Sequence, residues 1–227
     1  MVVNDKLNLT MLCDFYELTM GAGYFANGYA DRITYFDLFF RRCPDGGGFA
    51  IAAGLEQIVQ YIQKLHFDTE DIAYLRERKC FNEDFLNYLV NFKFTGDIWA
   101  VPEGTPIFPR EPIITVRAPA IQAQLVETYL LLCVNHQSLI ATKANRVVRA
   151  AEGRTVLEFG SRRAQGADAA ILGARAAYIG GRPPFQDAAM ARPAPFLTSS
   201  TASTRAAPWP THGFRCLTAS TRRSRLM

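Results

Sequence analysis

Residues 153–181 read GRTVLEFGSRRAQGADAAILGARAAYIGG, and this stretch decides the fold class. A Gly-Arg turn leads into an apolar run rich in β-formers, TVLEFG. A polar connection follows, then an Ala-rich helix from about Asp168 to Ile179 that stops at a glycine pair. A strand followed by a crossover helix needs a parallel partner strand, so the unit predicts an α/β fold whose sheet or barrel continues beyond residue 180. From Gly181 to Met227, however, there is not one Val, Ile, Tyr, Glu, Lys or Asn.

Upstream, residues 10–27 place Leu12, Phe15, Leu18 and Met20 at near-helical spacing. Thr10 or Asp14 can cap the start, and Asn27-Gly28 can end it. RITYFDLFFRR at 32–42 predicts a strand. CPDGGG at 43–48 is turn chemistry feeding a helix over FAIAAGLEQIVQYIQKL, after which two more helices are expected. Residues 95–119 alternate short β runs with Pro and Gly, as edge strands or a small β layer do. Helical periodicity returns over 121–150, with a break expected near Asn135.

The chain has 227 residues, 49% apolar and 12% aromatic, enough for one large domain or two smaller ones. Its net charge of +4 is misleading: Arg182 to Met227 holds seven arginines and one acid, leaving 18 basic and 20 acidic residues before it. A slightly acidic body argues against a nucleic-acid surface, and the tail lacks interleaved aromatics. YLLLCV is far too short to span a bilayer, and the N-terminus carries no secretion signal. Five widely spaced cysteines without a CxxC pair fit neither a disulfide framework nor a zinc site, and point to the cytoplasm.

Several residues carry two readings. On a strand, Glu158, Gly160 and Arg162 share one face and Phe159, Ser161 and Arg163 the other. The pair Glu158 and Arg162 is either an ion pair closing a strand end or a ligand site. In the second case Arg162 suits a carboxylate or phosphate, because its planar fork binds two oxygens. Asp14 and Tyr16 are either a first-turn acid and a packing ring, or site residues. Lys143, Arg146 and Arg149 line one helix face, as a solvated basic surface or as one wall of a polyphosphate site. Gly46-Gly47-Gly48 lacks both the P-loop ending and the dinucleotide spacing, and reads as a turn. His66 and His136 stand alone and receive no role.

In order and with natural spacing, CDFYELTMGAGY, RRCPDGGGFAIAAGLEQI, PEGTPIFPREPIITV, LVETYLLLCVNHQSLIATKANR and VLEFGSRRAQGADAAILGARAAYIGG closely resemble nicotinate phosphoribosyltransferase over about residues 8–181. The resemblance implies a type II phosphoribosyltransferase fold: an N-terminal α/β domain over 1–150 and the first strand-loop-helix unit of an incomplete β/α barrel over 151–181. It implies that nicotinate and phosphoribosyl pyrophosphate give nicotinate mononucleotide and pyrophosphate, coupled to ATP hydrolysis, in NAD salvage. Nicotinate, phosphoribosyl pyrophosphate and ATP are the implied ligands, with Mg as accompanying ion and a homodimer as the intact assembly. Tyr16 matches the tyrosine facing the nicotinate ring, usually across a dimer interface, and Arg162 matches a position lining that pocket. Ser161 departs from the Leu common among relatives; Arg163, Lys143 and Glu158 are candidate supports for the phosphate site.

In the family a GTMAHSW-like segment follows, whose histidine is transiently phosphorylated. Plausible codons for PWPTHGFRCLTAS, read from the third base, encode MAHSWVQMFDSE. The expectation is a frameshift near Gly181 and a disordered tail over 182–227 that carries no function. On that expectation the chain alone is inactive, or is a dimer-forming fragment with an unpaired strand edge. A related nicotinamide or quinolinate phosphoribosyltransferase is the remaining alternative.

Overall fold

The computed structural model describes residues 7–154, 156–158 and 160–181. The expectations for the tail over 182–227 lie outside the described residues, as do Thr155 and Phe159.

Helix α1 (Phe15–Ala26) forms where the apolar spacing predicts it and closes at Asn27, with Gly28 at φ 73°. Neither expected cap operates. The Asp14 side chain makes no cap bond, and the Thr10 hydroxyl instead accepts the backbone N–H of His66 at 3.1 Å. Strand β1 (Ile33–Leu38) follows, then a 3₁₀ turn over Pro44–Gly46.

The expected helix over 49–65 is shorter. Its first residues form strand β2 (Ala50–Ile51), because they pair antiparallel with β4 (Pro106–Ile107). Helix α2 (Leu55–Lys64) starts only after Gly54, whose φ of 109° a side chain rarely adopts. A Cβ there would also come within 2.6 Å of the Cys133 carbonyl oxygen.

Helices α3 (Thr69–Glu77) and α4 (Glu83–Val90) are the two expected next. The first opens with a capping box between Asp68 and Asp71; in the second, Asn82 accepts the Phe85 N–H at 2.9 Å.

Strands β3 (Asp97–Ala100) and β5 (Ile114–Pro119) complete a three-stranded antiparallel sheet in the order β1-β5-β3. Ile33 faces Pro119 and Ala100 faces Ile114. Of the two expectations for 95–119, the small β layer is what forms, with β3 at its edge and β5 between β1 and β3. The proline of β5 is its last residue, so both ladders run uninterrupted up to it, while Ile114, Val116 and Ala118 alternate into the core.

Helices α5 (Ala120–Leu125) and α6 (Glu127–Ala150) break at Val126, not near Asn135. Asn135 is exposed within α6, and an exposed Asn costs a helix only a fraction of a kcal/mol. The main core gathers Leu18, Ile58, Leu75, Phe85, Leu89, Ile114 and Ile121 from both layers.

The strand expected at TVLEFG is not formed by residues 156–158 and 160, since no neighbouring strand among the described residues offers a ladder. Glu158 instead folds back to accept the Gly160 N–H. A 3₁₀ turn over Ser161–Arg163 leads to α7 (Ala167–Gly180), close to the expected bounds. Helix α7 runs alongside α6 in the same direction. Arg175 meets Gln137, Gly180 lies against the Ala141 backbone, and Gly181 lies near Val148. Ile51, Ala53, Ala141, Ala176 and Ile179 form a second apolar cluster that joins β2, α6 and α7.

Candidate functional site

Tyr16 stands in the first turn of α1 with 44% of its surface exposed, whereas its neighbour Glu17 is fully buried. Loss of hydration, then the charge of Glu127, pushes the Tyr16 phenol up to about 12, so it is a neutral hydrogen-bonding ring at neutral pH. Glu17 Oε1 accepts the Thr128 hydroxyl at 2.7 Å and the Thr128 backbone N–H at 3.1 Å, fastening α1 to the start of α6. Tyr61 and Tyr129 stack beside this contact, with ring centroids 3.9 Å apart.

Arg162 and Arg163 both project from the 3₁₀ turn ahead of α7 and are exposed. Among the described residues neither guanidinium is in an ion pair. The Glu158–Arg162 pair is therefore not formed, because Glu158 is turned onto its own backbone. Ser161 is half-buried, and its buried hydroxyl oxygen has no hydrogen-bond partner among the described residues.

No hydrogen bond, ion pair or ring contact joins Tyr16 to Arg162 among the described residues. Asp168, at the start of α7, adds to the burial that pushes the Tyr129 phenol up, and Tyr129 sits in the first turn of α6 beside Thr128.

The basic face of α6 is turned to another task. Arg146 donates to Asp45 at 3.0 Å and to the Pro44 carbonyl at 2.8 Å, while the Lys143 ammonium lies 3.7 Å from Asp45. Arg149 lies over the Phe49 ring. These exposed pairs add little stability but hold the 43–48 turn against α6. A Cβ on Gly47 would push aside the flexible end of Arg146, so the glycine leaves room for the guanidinium to reach Asp45 and Pro44. An open cavity of about 430 Å³ beside the turn is lined by Phe40, Arg42, Cys43, Asp45, Asn135 and Leu139 among others. Among the described residues there is no group of three or more His, Cys, Asp or Glu side chains that could hold a metal ion. No helix among the described residues is long and apolar enough to cross a membrane.

Sequence reasoning missed a buried polar cluster centred on Arg175, which is 7% exposed. Its guanidinium donates to Glu103 at 2.6 and 2.9 Å, to Glu56 at 2.7 and 3.1 Å, and to Gln137 at 3.3 Å. Burial works against its charge, and the two carboxylates more than offset that. Glu103 Oε1 also accepts the N–H groups of Gly54 and Leu55, so one carboxylate caps α2 and anchors α7. A signal was present: Arg175 shares the buried face of α7 with Ala176 and Ile179, where an unpaired cation would be costly.

The family model described as the nicotinate phosphoribosyltransferase (NAPRTase) N-terminal domain matches residues 11–135. A nicotinate phosphoribosyltransferase of Mycobacterium tuberculosis is 46% identical over 171 residues, 75% of this chain and 37% of the relative. One from Bacillus subtilis is 44% identical over 174 residues, 77% of this chain and 36% of the relative. The chain thus spans little more than a third of the length of these relatives. The crystal structure of human nicotinic acid phosphoribosyltransferase superposes with a TM-score of 0.69 at 38% identity, covering 75% of this chain and 35% of that one. Nicotinate-nucleotide pyrophosphorylase from Pyrococcus furiosus, at 22% identity and a TM-score of 0.59, covers 80% of this chain and 39% of its own and shares the fold.

Proposed function

The chain belongs to the nicotinate phosphoribosyltransferase family, and from that premise we propose that it serves the transfer of a phosphoribosyl group from phosphoribosyl pyrophosphate to nicotinate. Its mixed α/β architecture is that of the type II phosphoribosyltransferases. The observation that carries the reading is the 46% identity over 171 residues with a nicotinate phosphoribosyltransferase.

On this reading the ribosyl carbon leaves pyrophosphate and bonds to the ring nitrogen, a displacement that needs no protein nucleophile. Catalysis comes from alignment and from positive charge facing the departing pyrophosphate. The exposed Tyr16 ring borders nicotinate, and the Arg162 guanidinium, in no ion pair among the described residues, holds its carboxylate through two parallel hydrogen bonds. Ser161 stands beside Arg162, and its half-buried hydroxyl leaves room where a larger side chain would pack. Arg163 and Lys143 lend positive charge to the phosphate side. Glu158 shapes the turn through the Gly160 N–H.

ATP is the co-substrate, and Mg accompanies the phosphates of the two substrates. No step is assigned to Mg. Residues 151–181 begin a β/α barrel, and residues 1–150 form the domain on which it builds. The working form is a homodimer, for which exposed Phe15, Tyr16 and Met20 on α1 supply apolar surface. Free thiols at Cys13, Cys43, Cys80 and Cys133 support a cytoplasmic setting.

The test is competition among nicotinate, nicotinamide and quinolinate for one pool of phosphoribosyl pyrophosphate. Preference for nicotinate supports the reading, and preference for either other ring overturns it.

A further inference from the structure

Glu17 is a carboxyl in an unfavourable place. It is fully buried, Oε2 has no hydrogen-bond partner among the described residues, and Oε1 alone takes both donors of Thr128. The groups that face it are acids or neutral: Cys13, Asp14 and Tyr16 at the start of α1, Glu127 on α6 and the Tyr61 phenol on α2. Loss of hydration, opposed by the Thr128 bonds, pushes its carboxyl up to about 7. A buried polar group retained where a Leu would pack calls for a reason in what it holds.

What it holds is the first turn of α1. Further along, Gly21 packs on Ile121 and Phe85, so apolar contacts seat that part of the helix. At the start, the half-exposed Phe15 ring meets Phe81 edge-on at 5.9 Å, the Asp14 side chain caps nothing, and the Asp14 N–H reaches Thr128 Oγ1 only at 3.4 Å. Successive helical residues point about 100° apart, so the direction of residue 17 sets that of residue 16. One residue faces inward onto Thr128 and the next faces outward as the exposed phenol.

We infer that Glu17 is a positioning residue for Tyr16: by gripping Thr128 at the head of α6 it sets the roll of α1, and with it the face that Tyr16 presents to the ring substrate. The inference rests on the reading that Tyr16 borders nicotinate. Glu17 itself touches no substrate.

The test uses the full chain with two readouts. In steady-state assays, Glu17→Ala and Thr128→Val raise KM for nicotinate about tenfold with kcat within about twofold. The double variant is no worse than the worse single one, because both remove the same contact. Glu17→Gln keeps an oxygen facing Thr128 and restores KM. A uniform fall in kcat and folded fraction without a change in KM, or failure of Glu17→Gln to rescue, overturns the inference.

The second readout needs no turnover. With fluorotyrosine incorporated, the Tyr16 fluorine resonance, assigned by its loss in Tyr16→Phe, moves with pH around a midpoint near 7, and Glu17→Gln abolishes the movement. A chain that shows the movement but turns over no nicotinate sinks the transferase reading and leaves the role of Glu17 standing. A Tyr16 resonance indifferent to Thr128→Val and to Glu17→Gln contradicts that role whatever the activity. Should Glu17→Ala fail to fold, Thr128→Val and Glu17→Gln still decide it.

Discussion

Arg175 and Glu103 meet side by side, Nη1 on Oε1 at 2.9 Å and Nη2 on Oε2 at 2.6 Å, and both are nearly closed to solvent. The pair joins α7 to the loop before β4, and through the Gly54 and Leu55 N–H groups to the start of α2. The segment bearing Arg162 therefore hangs from a helix that is locked at its centre.

Arg175→Met leaves buried Glu103 and half-buried Glu56 without their cation. Breaking a buried pair from one side costs about 3–5 kcal/mol, so a large fall in the urea midpoint is expected. An unchanged midpoint would show that the cluster is not holding α7.

Gly180→Ala places a Cβ inside the Ala141 carbonyl of α6, where backbone rather than a flexible side chain stands in the way. Overpacking of this kind costs about 1–3 kcal/mol. Thermal unfolding is expected to show it, with the apolar cluster of Ile51, Ala53, Ala141, Ala176 and Ile179 loosened.

Glu17 makes stability depend on pH. Its folded value of about 7 lies above the ordinary 4.5, so between those values the folded chain binds a proton that the unfolded chain lacks. Stability contributed by this group is full below about 4.5 and falls as pH rises through about 7, by about 1–3 kcal/mol in all. Glu17→Gln flattens that part of the profile. Denaturant titrations at several pH values check it, and a wild-type profile rising between those values would contradict it.

Asn82→Ala removes the acceptor of the Phe85 N–H at the start of α4 and is expected to cost about 1 kcal/mol, read from the same urea midpoints.

Arg162→Met is expected to raise KM for nicotinate by about 100-fold or more, since it removes two charge-assisted bonds to the carboxylate, each worth about 1.5–3 kcal/mol. KM for phosphoribosyl pyrophosphate should move little, and equal changes in both constants would remove Arg162 from the ring site.

Much of the fold was legible where local chemistry decides it. The apolar spacing and Asn27-Gly28 gave α1, the turn residues gave the 43–48 bend, and the Ala-rich run gave α7. The failures lie where a distant partner decides. Ala50–Ile51 reads as helix and is strand because Pro106–Ile107 lies beside it. Residues 95–119 read as edge strands or a small β layer, and form the layer with β5 central because β1 and β3 both pair with it. The Val126 break owes nothing to a Gly or Pro signal, and the TVLEFG strand lacks a described neighbour to pair with. Tyr16, Arg162 and Lys143 were legible as candidate residues, but the roles given to them came from family resemblance. Arg175 escaped because a lone Arg among alanines looks like a surface residue until Glu56 and Glu103 arrive from 119 and 72 residues away.

The most direct measurement is product formation: labelled nicotinate with phosphoribosyl pyrophosphate, with and without ATP, followed for nicotinate mononucleotide and pyrophosphate in equal amounts. The account predicts matched appearance of both products, stimulated by ATP and lost when phosphoribosyl pyrophosphate is withheld. Nicotinate left unconverted by the folded chain under those conditions would contradict the transferase reading for this chain and match the expectation that it is inactive alone.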